Sequence, residues 1–61
     1  MPAAFELFID KKGEFRWRLR HQNGTIIADS GEGYTSRESA VNDINSVIEN
    51  APSAPIEDQT T

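Results

Sequence analysis

Three arginines at alternate positions, Arg16, Arg18 and Arg20, are the residues of this sequence best equipped for chemistry. A guanidinium stays charged at any physiological pH and presents its N–H groups as a planar fork that matches carboxylate and phosphate oxygens. Spacing of two places all three on one face of a strand. Phe8 and Ile27 are expected beside them, so the face has the ingredients of a sheet surface on which bases stack. Against that, Glu6, Asp10, Glu14 and Asp29 fall on the same face. Three arginines against four carboxylates leave no basic patch, and no second aromatic is in line. The surface formed by Phe8, Arg16, Arg18 and Arg20 is therefore read first as a solvated face knitted by cross-strand charge pairs. A contact for a protein or an acidic ligand comes second, and nucleic acid is disfavoured.

Other reactive residues lack partners. His21 is the single histidine, and no carboxylate or thiolate is placed to make it a base or a ligand. Ser30, Ser36 and Ser39 belong to no nucleophile motif. Ser30-Gly31-Glu32-Gly33-Tyr34 leads into a helix N-terminus, where an anion could sit, but it matches neither a P-loop nor a dinucleotide fingerprint, and Glu32 would repel phosphate. Trp17 and Tyr34 are read as core or interface residues. No catalytic, cofactor-binding or metal-binding residue is assigned, no cofactor is expected, and the chain is not read as an enzyme.

Sixty-one residues make one domain, 1–61, near the size at which a single chain struggles to bury enough surface. With no cysteine and one histidine, disulfides and structural zinc are excluded as staples, which leaves tight packing or self-association. The net charge of −4 argues against general nucleic-acid binding. Four of the six basic residues are arginine, a balance that would also suit a salt-rich cytoplasm. No apolar run approaches a membrane span and Met1-Pro2-Ala3-Ala4 is not a signal peptide, so a cytoplasmic location is expected.

The elements that must position the arginines follow from periodicity. Phe5, Leu7 and Ile9 occupy alternate positions, with Glu6 and Asp10 between and after them and Phe8 breaking the polar side, and predict a strand over 4–10; Phe15, Trp17 and Leu19 predict a second over 14–21. Parity requires facing residues to sum to an even number if both apolar sets are to share one face, and pairing Asp10 with Glu14 does this across Lys11-Lys12-Gly13, a three-residue loop ending in left-handed glycine. The cross-strand pairs are then Ile9–Phe15, Leu7–Trp17, Phe5–Leu19, Glu6–Arg18 and Phe8–Arg16. Asn23-Gly24 predicts a two-residue type I′ turn, with Gln22 facing Thr25, Leu19 facing Ala28 and Arg18 facing Asp29. That register puts Ile26 in the core and Ile27 outside; a three-residue loop from Gln22 swaps them. The third strand covers 25–30. Thr35 and Glu38 form a capping box for a helix over 36–49, whose stripe is Ala40, Val41, Ile44, Val47 and Ile48. Asn50 suits a left-handed C-cap, Pro52 to Pro55 a stiff linker, 55–58 a short strand and 59–61 a frayed tail.

These residues resemble a known family, the small bacterial and archaeal domain of unknown function DUF1508 (UPF0339, YegP-like). The resemblance rests on Phe5-Glu6-Leu7-Phe8, Gly13 to Leu19, Asn23-Gly24, Glu32-Gly33-Tyr34, Ser36 to Ile44 and Asn50-Ala51-Pro52. It implies an α+β fold of order β-β-β-α-β, an antiparallel sheet with one helix on one face. It also implies that two units share one sheet and exchange C-terminal strands. A single-copy chain is then expected to be a homodimer, with Ile56, Glu57 and Asp58 as the exchanged segment. No activity comes with the resemblance. The expected role is a small non-catalytic interaction module with an unidentified protein partner, and the alternative is an anion-binding or nucleic-acid-binding domain using the arginine face.

Overall fold

A computed structural model describes residues 2–60. Three antiparallel strands, β1 (Ala3–Ile9), β2 (Phe15–His21) and β3 (Ile26–Asp29), form a sheet in that order, and one helix, α1 (Arg37–Asn50), packs on β2. The α+β architecture expected from the periodicity is the one observed.

The first hairpin follows the parity argument. Ile9 faces Phe15, Leu7 faces Trp17, Phe5 faces Leu19, Glu6 faces Arg18 and Phe8 faces Arg16. The loop closes through the Asp10 N–H to the Glu14 carbonyl (2.9 Å) and the Gly13 N–H to the Asp10 carbonyl (3.0 Å), with Gly13 at φ 81°. Only glycine takes that backbone region without strain. The Asp10 carboxylate avoids repulsion by Glu14 because it accepts the backbone N–H groups of Lys12 and Glu14.

The second hairpin departs from expectation. Its turn repeats the first: the His21 N–H reaches the Thr25 carbonyl, the Gly24 N–H reaches the His21 carbonyl (both 2.8 Å), and Gly24 alone has positive φ, 96°. The loop is therefore Gln22-Asn23-Gly24, three residues, and not a type I′ turn. Near the turn Arg20 faces Ile26, whereas farther along Leu19 faces Ala28 and Arg18 faces Asp29. Both candidate registers are present, reconciled by a β-bulge that leaves Ile27 as the extra residue. Ile26 consequently sits on the arginine face, opposite to the expected core position.

The core is small. Trp17 (4% exposed) and Ala40 (0%) are its only fully enclosed side chains among the described residues. The central strand sets Trp17 under the helix, where its ring meets Phe5 edge to face at 5.4 Å. Ser36, not Thr35, caps α1: its Oγ accepts the Ser39 N–H, and Ser39, not Glu38, completes the exchange by a hydroxyl–hydroxyl contact of 2.9 Å. Tyr34 explains the shift. Its N–H and carbonyl both bond Phe15 at 2.8 Å, holding the chain extended until after Thr35.

The C-terminal end also differs. Asn50 is right-handed, its side chain donating to the Ser46 carbonyl at 2.7 Å, and a 3-10 turn at Ala51–Ser53 extends the helix. Pro52 fits this first turn because its missing N–H would have had no partner. Residues 54–60 then run without regular structure, so the fourth strand over 55–58 does not form within one chain. A strand needs a ladder partner, and this segment meets none in its own sheet. Thr61 of the expected tail lies outside the described residues.

Candidate functional site

Alternation along β2 brings Arg16, Arg18 and Arg20 onto the face away from the helix. Each is anchored through its Nε. Arg16 donates to Asp10 Oδ2 at 2.8 Å, and Arg18 and Arg20 both donate to Glu6 Oε1, at 2.8 and 2.9 Å. Arg20 also caps the second hairpin through an Nη to the Gly24 carbonyl. The Arg18 guanidinium carbon lies 4.6 Å from the centre of the Phe8 ring, within cation–π range. These contacts leave the Nη ends of Arg16 and Arg18 without a hydrogen-bond partner among the described residues. The hydrogen bonds from Arg18 and then Arg20 hold the Glu6 carboxyl below its ordinary range; the Glu14 N–H first, with Lys12 and Arg16 after it, does the same for Asp10.

A cleft of about 270 Å³ opens on this face between Phe8, the three arginines, Ile26 and Asp29. The four residues singled out from the sequence, Phe8, Arg16, Arg18 and Arg20, therefore come together. Ile26 joins them in place of Ile27. Arg18 faces Glu6 and Asp29 across the strands as expected, but its ion pair goes to Glu6, while Asp29 Oδ1 accepts the Gly31 N–H. Glu14 is drawn aside, its Cβ so near Gly33 that a side chain there would come within 2.8 Å of it.

The remaining reactive residues serve the fold. His21 Nδ1 accepts the Asn23 N–H inside the second turn. Ser30 Oγ donates to the Glu32 carbonyl and lies 3.4 Å from the Trp17 nitrogen, bracing the strand-to-helix loop. No group of three or more metal-ligating side chains occurs among the described residues, and no described helix is long and apolar enough to cross a membrane.

One polar contact escapes the periodicity. The Trp17 indole N–H donates to Asp43 Oδ2 at 2.7 Å. Asp43 stands three residues after Ala40 and four before Val47, inside the apolar stripe, and a lone carboxylate there needs a donor from the sheet. Tyr34 lies beside it with its hydroxyl donating to Glu32, and its pKa is pushed up to about 12 by burial and then by the Asp43 and Glu32 carboxylates.

At the far end of the chain, Ile56 is 97% exposed and Glu57 and Asp58 are exposed with it. The Asp58 carboxylate accepts the Thr60 hydroxyl and N–H, which lowers its pKa.

The chain is similar to other proteins over most of its length. A UPF0339 protein of Agrobacterium fabrum is 51% identical over 57 residues, 93% of this chain and 90% of the relative. A UPF0339 protein encoded in the 5′ region of the ptx operon of Stutzerimonas stutzeri is 46% identical over 85% of this chain, which spans only 46% of that relative. The NMR solution structure of a protein from Haloferax volcanii superposes with a TM-score of 0.87 at 52% identity, covering 92% of this chain and 93% of the other. The profile described as domain of unknown function (DUF1508) matches residues 10–58, a span that includes the arginine-bearing strand, its bulged neighbour, the helix and the exposed tail. The fold and the sequence agree, and the chain belongs to the DUF1508 (UPF0339) family.

Proposed function

We propose that the protein is a non-catalytic interaction module that works as a homodimer, each chain lending its C-terminal segment to the sheet of the other. The observation that carries this reading is unburied surface. The single chain exposes 4915 Å², whereas a compact monomer of its mass exposes about 4,000 Å². The excess is close to the roughly 800 Å² that each partner loses in a standard interface. Its radius of gyration, 13.0 Å, likewise exceeds the roughly 10.5 Å of a compact chain this long. Ile9, Ile48 and Ile56 are 61%, 52% and 97% exposed, a large apolar surface for so small a chain. A two-fold exchange of residues 55–58 would bury Ile56 twice and give the segment its missing ladder partners. A relative more than twice as long as the matched region has room for two such units in one chain.

Sedimentation equilibrium at low micromolar concentration tests the reading. A dimer mass is expected, with a melting temperature that rises with protein concentration because folding is coupled to association. Truncation after Asn50 should give a poorly folded or aggregating chain. A folded single-chain mass with a concentration-independent melt would overturn it.

A further inference from the structure

Arg16 and Arg18 are anchored at their Nε by Asp10 and Glu6, which leaves their Nη ends without a hydrogen-bond partner among the described residues. Anchored arginines lose little further freedom on meeting an oxyanion, and a planar fork accepts both oxygens of a carboxylate at once. Phe8 and Ile26 supply apolar walls to the same cleft, and Arg18 already lies over the Phe8 ring. The cleft, at about 270 Å³, falls just below the usual range for drug-sized ligands.

Charge narrows the class. Three guanidinium groups meet the paired carboxylates of Glu6 and Asp10, and Asp29 at the cleft border brings the formal sum to zero. An anion is therefore held by the Nη donors of Arg16 and Arg18, and each added negative charge turns the cleft net negative. That balance suits a single negative charge. A phosphate dianion would meet Asp29, and a polyanion would find too little positive surface. We propose that the cleft binds a small monocarboxylate bearing an apolar or aromatic body, its carboxylate on the Nη groups of Arg16 and Arg18 and its body between Phe8 and Ile26.

The test is an NMR titration of the full chain with benzoate, reading the arginine Nε–H signals and the Phe8 and Ile26 side chains. Saturable shifts are expected at all four residues, with none from benzyl alcohol, which keeps the ring and lacks the charge. Arg16→Lys and Arg18→Lys should each weaken binding about tenfold, because the planar fork is lost while the charge remains. Ile26→Glu, which leaves Arg16 and Arg18 in place and sets a negative wall opposite Arg20, should abolish binding and guards against an arginine variant that folds poorly. No saturation by benzoate up to its solubility would overturn the proposal, as would identical affinity in the arginine variants. Tighter binding of inorganic phosphate or of a mixed-sequence single-stranded oligonucleotide would overturn the monocarboxylate class.

Discussion

The two faces of β2 are made from alternate residues of one seven-residue strand, yet they are held together by different physics. On the helix side, Trp17 is enclosed, meets Phe5 edge to face and gives its indole N–H to Asp43. On the other side, Arg16, Arg18 and Arg20 are each about a third exposed and are tied by charge to Glu6 and Asp10. The first face excludes water and concentrates its energy in one residue. The second shares solvent and spreads small energies over several pairs, so no single one of them decides whether the domain folds.

The strongest way to break this contrast is Trp17→Ala. Loss of the only large enclosed side chain among the described residues should cost about 3–5 kcal/mol, enough to unfold most of a chain this small. Denaturant midpoints followed by circular dichroism will read it. Asp43→Ala sharpens the inner face, leaving the indole N–H without its acceptor at a cost of about 1–3 kcal/mol; fluorescence of the single tryptophan should report the change in its surroundings. The smallest effects belong to the outer face. Arg18→Ala should cost about 1 kcal/mol or less. Acid acts through the same contacts. Glu6 and Asp10 have lowered pKa values in the folded chain, so their contribution is complete above the ordinary carboxylate range near 4 and is lost as pH falls through the lower folded values. Glu6→Gln should flatten that acid limb, measured as midpoints at about pH 7 and about pH 3. Equal losses in Trp17→Ala and Arg18→Ala would mean that the two faces do not differ as described.

Strict alternation made both faces of β2 readable from sequence, and Gly13 with parity fixed the first hairpin residue by residue. The second hairpin was harder because Asn23-Gly24 suits two turns. Which one forms depends on the His21 side chain, which accepts the Asn23 N–H, and on a bulge at Ile27 whose cost is set by tertiary packing. The same limit applies to the helix start: Thr35 and Ser36 are equally good caps, and the choice falls to the backbone bridge between Tyr34 and Phe15. Asp43 has no place in the stripe as read from the sequence, and its partner, Trp17, sits 26 residues away. The cleft inherited its error from the hairpin, since the bulge decides that Ile26 and not Ile27 forms its wall.

That bulge has a consequence for how far such a sheet can grow. β1 offers a seven-residue outer edge without interruption, while β3 offers only four residues, bent by the extra Ile27 and giving way to the loop that follows Asp29. An added strand has a straight template on one side and a kinked, truncated one on the other. Polymerisation needs both sides; a sheet that can be extended on one side alone stops after a single joining event. The extra Ile27 thus makes the two edges of one sheet unequal as templates for a further strand.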